Sequence, residues 1–227
     1  MAPPRIYWPY IESTISQRFG ENANTLYASD GLRGHPAIDF GVPYGTPILQ
    51  CLEGAEVYST MNRNNPDLMR YRAVCTMWDD PDSFTSYELI YGHDSDIMAA
   101  VGTTPAVGDT LAYVGNTGDV YTNGVAVTAA EKNAGSHAGS HLHFQLRKCL
   151  RVPVTKPDHQ YIIDGNGLYQ KNGCYYEVVD YANGYHGCLD PQPYLVAQTL
   201  AKDVPALINK YTAILALLKK VVSYLRG

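Results

Sequence analysis

Along the first two hundred residues, apolar positions fall in short runs broken by Gly, Pro, Asn or Asp. Ile15–Phe19, Ala37–Phe40, Pro47–Leu52, Ala55–Thr60, Tyr71–Trp78, Thr85–His93, Thr110–Val114 and His141–Leu146 suit strands. They are too short for packed helices, and turn residues bound them. Asp79-Asp80-Pro81-Asp82-Ser83 is a turn cluster, so the runs flanking it read as a hairpin. Asp94–Met98 reads as a short helical turn. Two stretches look inserted. Residues 119–140 form a long polar, small-residue loop. Residues 151–189 hold further strand candidates, Tyr161–Ile163, Gly167–Tyr169 and Tyr175–Val179, with Gly165-Asn166-Gly167 and Lys171-Asn172-Gly173 as turns. The pattern predicts a mainly β (α+β) chain built on an antiparallel sheet or partial barrel.

The periodicity changes near Asp203. Leu207, Tyr211, Ile214, Leu218, Val221 and Leu225 follow at alternating spacings of four and three. That is the apolar stripe of an amphipathic helix, with Pro205 in its first turn and Asp203 as N-cap. The expected organisation is a β domain over 1–200 and a helical tail over 201–227. Such a stripe needs a partner: its own domain, a second copy, or another protein.

Charge sharpens this division. The net charge is −5, but 201–227 holds five Lys/Arg and one Asp, so a +4 tail follows a −9 domain. An acidic domain argues against a nucleic-acid binder with a basic face. The +4 tail leaves contact with a membrane surface as a second reading of that helix. No apolar run is long enough to span a bilayer. Met1–Tyr10 has no apolar segment of the secretory kind, so synthesis in a host cytoplasm is expected. The five cysteines stand singly without a CxxC pair, which excludes a zinc ribbon. They suit buried small hydrophobes, with a bridge among Cys149, Cys174 and Cys188 as the alternative. Tyrosine is abundant, with 19 against four Phe and two Trp. Tyr44, Tyr91 and Tyr121 are candidates for the walls of a binding groove; ordinary half-buried strand packing is the plainer use of most tyrosines.

The chemistry lies in the histidines. Of seven, four fall in three short segments: Gly34-His35-Pro36-Ala37-Ile38-Asp39, Tyr91-Gly92-His93 and His141-Leu142-His143. Residues two apart in a strand share a face, so His141 and His143 point together. An offset of four restores the face for His35 and Asp39 in an extended segment. Two imidazoles and a carboxylate are a normal ligand set for catalytic zinc. No HExxH is present for a helical zinc site, and no GxSxG for a serine hydrolase. Val107-Gly108-Asp109 suggests the turn of a lipoyl-type carrier, but no lysine stands in a suitable tight turn.

Taken together, these segments resemble the lysostaphin/LytM-type zinc endopeptidases, which cut peptide bonds in bacterial peptidoglycan. The similar text is GHPAIDFGVPYGTP (34–47), YGH (91–93), TPAVGDTLAYVGNTG (104–118) and GSHLHFQL (139–146), in the family's order, with DPQPYL (190–195) at its usual domain end. The resemblance covers about half the chain. It implies His35, Asp39 and His143 as zinc ligands, His141 as the catalytic histidine and His93 as a second histidine lining the site. It further implies peptidoglycan peptides as substrate. Within that reading, His141 handles the proton and His93 assists at the oxyanion, a division that the sequence leaves open. Ser140 and Gln145 stand where the family commonly has Pro and Glu, and neither is a ligand position. With no secretory segment read, the resemblance suggests a bacteriophage endolysin or virion-associated lysin, with residues 203–227 available for self-association or a virion protein. The runner-up is a non-catalytic peptidoglycan-binding or structural virion module on the same scaffold.

Overall fold

The computed structural model describes residues 4–10, 14–22 and 27–196. Contacts divide the chain into residues 1–195 and 196–227, and the expected tail helix lies outside the described residues. Short strands at Ile6–Tyr7 (β1), Ile15–Gln17 (β2) and Ile38–Phe40 (β3) come first. They are followed by Pro47–Leu49 (β4), Glu56–Met61 (β5), Ala73–Asp79 (β6), Thr85–Gly92 (β7), Asp94–Ile97 (β8) and Thr110–Val114 (β9). A small hairpin of Tyr121–Thr122 (β10) and Val125–Ala126 (β11) and one helical segment, Ala129–Asn133 (α1), precede the long strand Leu142–Val152 (β12). Ile163–Asp164 (β13), Gly167–Leu168 (β14), Gln170–Lys171 (β15), Cys174–Val178 (β16) and Cys188–Leu189 (β17) follow.

The long strand organises the main antiparallel sheet, whose order is β15-β16-β12-β7-β6-β5. One edge of β12 pairs with β7 from His143 to Leu150. Along its other edge lie three strands end to end: β3 against Leu142–Phe144, β17 against Leu146 and Arg147, and β16 against Cys149–Val152. A second sheet, β4-β9-β8, shares the core with it. Strand alternation decides which residues meet there. Ile38 and Phe40, Leu89 and Tyr91, and Leu142, Phe144 and Leu146 pack with Ile48, Leu111 and Val114. The Phe144 ring meets Phe40 at 6.2 Å and Tyr91 at 5.4 Å, both edge-on. The other face of the sheet is covered at the β16 end. There Cys75, Met77, Ile90 and Cys149 pack beneath Ile162, Tyr169 and Tyr176. Burial on both faces explains why β6 and β7 read as nearly continuous apolar runs.

Three expectations are corrected. Asp94–Met98 is no helical turn: Asp94–Ile97 is β8, paired with β9 across a register shift between Asp94 and Asp96. Tertiary pairing overrides a weak local preference there. The cysteines are all free thiols, four of them buried, so the alternative of a bridge among Cys149, Cys174 and Cys188 falls away. Finally, 119–140 is built rather than loose. It contains β10, β11 and α1, and α1 opens on a complete capping box of Thr128 and Glu131. The Lys132 ammonium is buried and donates to the Gly118 carbonyl, and Asn116 Nδ2 donates to the carbonyls of Ser136 (2.8 Å) and Ala138 (3.0 Å).

Candidate metal centre

Cross-strand register brings the polar residues together. His143 on β12 stands directly opposite Asp39 on β3 and, on its other side, opposite Gly92 on β7. Asp39 in turn is opposite Gln17 on β2. These positions share one face because Ile38, Phe40, Leu142 and Phe144, their sequence neighbours, turn into the core. The segment before β3 adds His35, and the bridge between Gly115 and His141 brings His141 beside the start of β12. At the end of β7 the chain kinks at His93, which has a left-handed φ of +66°. Such a backbone is uncommon for a residue with a side chain and is held by surrounding bonds. The Asp94 N–H reaches the Arg72 carbonyl at 3.1 Å, and Thr117 Oγ1 donates to the Asp94 carbonyl at 3.1 Å.

Three candidate ligand atoms converge. His35 Nε2 lies 3.2 Å from Asp39 Oδ1 and 3.2 Å from His143 Nδ1, and that nitrogen is 3.0 Å from the same carboxylate oxygen. Zinc bonds of about 2.0–2.1 Å in a tetrahedron give ligand–ligand edges of roughly 3.3 Å. The triangle therefore fits a tetrahedral zinc with one position open to solvent. Its donor chemistry, two nitrogens and one anionic oxygen, fits as well. His93, His141 and His143 form a second cluster with ligand atoms within 4.8 Å, sharing His143 with the first. The first contains the anion, and its three atoms stand 3.0–3.2 Å apart.

Hydrogen bonds fix how two of the rings face the site. His93 Nδ1 is 2.6 Å from the Thr117 carbonyl, and His141 Nδ1 is 2.8 Å from the Gly139 carbonyl. A carbonyl only accepts, so both Nδ1 atoms carry hydrogen. In the neutral rings both Nε2 atoms are then open acceptors. His141 Nε2 lies 3.4 Å from Asp39 Oδ2, the oxygen that the triangle leaves over. Burial works against a charged Asp39, yet His141, His143 and His35 around it outweigh burial and hold the carboxyl well below the usual range. Burial lowers His93 well below an ordinary histidine, with His141 and His143 adding to the effect. Burial also lowers His143, against the pull of Asp39. A lowered His143 beside an ionised Asp39 is the protonation pattern that metal binding requires.

All five site residues predicted from sequence line one cleft of about 1110 Å³. Among the described residues, Asp30 and Asp119 also line it and no lysine or arginine does. Tyr121, 43% exposed, forms part of the wall. Tyr91 does not: it is fully buried, and its hydroxyl donates to Gln50 Oε1 at 3.0 Å. Alternation on β7 turns it to the core, away from its neighbour Gly92. Tyr44 is outside the cleft lining and stacks on His137 at 3.9 Å. Two further tyrosines of the cleft carry no signal in the sequence. The Tyr27 ring packs 5.4 Å from His35 and its hydroxyl pairs with Gln17, whereas Tyr71 lies edge-on to His93 at 4.9 Å. Neither stands in a motif, so only the folded sheet reveals them.

No family model matches the chain, and no curated protein matches it. Solved structures do. LytU is 23% identical, over 82% of this chain and 86% of that one, with a TM-score of 0.45. The catalytic domain of the prophage-encoded M23 protein EnpA from Enterococcus faecalis, in a mutant form, is 22% identical over 63% and 87%, at 0.38. The antimicrobial peptidase lysostaphin from Staphylococcus simulans is 16% identical over 86% and 55%, at 0.44.

Proposed function

We propose that this protein is a zinc-dependent endopeptidase that hydrolyses peptide bonds of bacterial peptidoglycan. The observation that carries this reading is the triangle of His35 Nε2, Asp39 Oδ1 and His143 Nδ1 on the floor of an open cleft, with the open Nε2 of His141 beside it. Zinc bound there supplies Lewis acidity, polarising a carbonyl and lowering the pKa of water toward about 7. The protein's own groups do the rest. His141 takes the proton of the attacking water and passes it to the leaving amine. His93, expected to assist at the oxyanion, has its Nδ1 committed to Thr117 and offers a second acceptor instead, helping to hold that proton in the site. Asp39 keeps its charge and steadies the imidazolium of His141 through Oδ2. A cleft whose described lining holds carboxylates and no lysine or arginine suits neutral or amine-bearing peptides. Peptides with small side chains would be gripped through their backbone.

Metal analysis together with digestion of purified sacculi tests this. We expect one zinc per chain, new amino termini in the digest, and loss of both zinc and cleavage in His143→Ala. Zinc-loaded protein that releases no fragments from sacculi of any common cross-link type would overturn the reading. A role as a phage endolysin or virion lysin is part of the proposal, supported by the apolar stripe of 207–225, which needs a partner. Finding the protein in purified virions would identify the virion form.

A further inference from the structure

The hairpin of β10 and β11 has two outer edges, and only one of them borders the cleft. Asn123 and Gly124 form its turn, with φ of +52° and +77°, the type I′ geometry of a two-residue hairpin. Thr122 and Val125 flank the turn, and Tyr121 stands opposite Ala126. The following pair is fixed by the Val127 N–H, which donates to the Val120 carbonyl at 2.9 Å. Bonded and non-bonded pairs alternate along an antiparallel ladder, so Tyr121 and Ala126 are the non-bonded pair. Their N–H and C=O groups therefore point outward, those of Tyr121 along one edge and those of Ala126 along the other. Among the described residues, no hydrogen bond engages the backbone groups of Tyr121.

The cleft runs along the Tyr121 edge. Asp119, Val120, Tyr121 and Thr122 line it together with the turn, whereas Val125, Ala126 and Val127 do not. The same edge is close to the reacting groups. Gly139, whose carbonyl meets His141 Nδ1 at 2.8 Å, passes beside it, and a Cβ there would be 3.2 Å from the Tyr121 carbonyl oxygen. A side chain at 139 would crowd the edge, and glycine leaves it clear. The root of the hairpin is fixed: Val120 and Val127 are buried, while Tyr121, Thr122, Val125 and Ala126 are exposed. The insertion that carries it is braced by the capped α1 and by buried Lys132. The edge is thus formed before any ligand arrives, which lowers the cost of binding to it.

An open strand edge is a template for another strand. The occupant that fits is an extended peptide of the substrate, because the edge is continuous with the cleft that holds the candidate zinc triangle. We propose that Tyr121 is a substrate-binding residue that acts through its backbone. Its N–H donates to the substrate's backbone and its C=O accepts from it, so the peptide lies on β10 as a third strand of the hairpin. Such pairing reads the main chain, so it holds peptides of small residues, provided that they are extended and carry free N–H groups. It grips the ground state and the transition state alike, so its loss appears in KM rather than in kcat. This inference rests on the endopeptidase reading above.

The test compares Tyr121→Pro, which removes an edge N–H at a position where proline is tolerated, with Tyr121→Ala, which removes the side chain and keeps the N–H. Ala126→Pro is the control, at the matching hairpin position on the edge outside the cleft. Kinetics use a soluble peptide that the wild-type, zinc-loaded protein is found to cut. One ordinary hydrogen bond corresponds to about fivefold in affinity. We expect KM in Tyr121→Pro to stand about fivefold above that of Tyr121→Ala, with kcat, zinc content and melting temperature unchanged. Ala126→Pro should match wild type. A KM in Tyr121→Pro within about twofold of Tyr121→Ala would overturn the proposal. So would an equal rise in Ala126→Pro, which would make the effect one of hairpin stability. Should Tyr121→Pro melt early, wild-type kinetics on peptides N-methylated at one amide at a time decide instead. One amide other than the scissile one should then raise KM by about fivefold, and the absence of any such amide would overturn the pairing. A wild-type protein that cuts no peptide would refute the endopeptidase reading itself. Calorimetric binding of a glycine- and alanine-rich peptide to the same variants then judges the edge by itself.

Discussion

The two overlapping histidine clusters make opposite forecasts for His141→Ala. If zinc is held by His35, Asp39 and His143, the substitution removes a proton carrier and leaves the metal. The structure favours this outcome. The atoms of the first cluster stand 3.0–3.2 Å apart and include the anion, whereas His141 Nε2 contacts the outer carboxylate oxygen at 3.4 Å. General acid–base catalysis contributes about 10²–10⁴-fold. A central value of about 10³ corresponds to roughly 4 kcal/mol at 1.36 kcal/mol per decade. The purified variant is dialysed against metal-free buffer, its zinc is measured by plasma mass spectrometry, and kcat is read on a soluble peptide. The expected result is one zinc per chain with kcat down about 10³-fold. Loss of the zinc would assign the metal to His93, His141 and His143 and would refute the ligand set argued above. Retained zinc with kcat within tenfold of wild type would refute the proton role.

Three further outcomes follow from the geometry. Phe144→Ala opens a cavity between Phe40 and Tyr91 and should cost roughly 3–5 kcal/mol, lowering Tm by about 10 °C in thermal denaturation. For metal-free protein, the folded state holds His93 well below the unfolded value of about 6.5, so the unfolded chain binds more protons as pH falls below that value and stability drops. Buried Asp94 acts in the opposite sense, since burial raises its carboxyl and its contribution is lost as pH rises. Comparison with His93→Gln isolates the histidine: the variant should lose less Tm between pH 8 and pH 5 than wild type, and an equal loss would refute the assignment. Lys132→Met removes the donor to the Gly118 carbonyl, so limited proteolysis should cut 119–140 faster, with KM raised more than kcat is lowered.

The sequence carries the site more fully than it carries the fold around it. Alternation alone separates Asp39 and His143 from Ile38, Phe40, Leu142 and Phe144, because period two is a local property. His35 and His93 lie outside regular strands, and their convergence depends on a loop and on a left-handed kink that no periodicity encodes. Tyr91 illustrates the limit: its place in YGH suggests the groove, but parity on β7 sends it to the core. Tyr71 shows the converse, since nothing near it in the chain announces that Gly92 vacates a place for its hydroxyl. Asp94–Ile97 departs from its local pattern for a related reason, because its pairing with β9 is decided by residues 15 to 20 positions away.

The end-to-end pairing along β12 also sets an order in time. His143 and Asp39 are 104 residues apart in the chain, yet they meet directly across two strands. During synthesis, the residues that would carry His35, Asp39 and His93 emerge well before the strand that completes the triangle. Pairings of such high sequence separation form late, because the intervening loop must be closed before they repay its cost. A nascent or truncated chain ending before residue 142 therefore has no assembled centre, however well its early hairpins have formed. The candidate centre arrives as one event, when β12 inserts between β3 and β7.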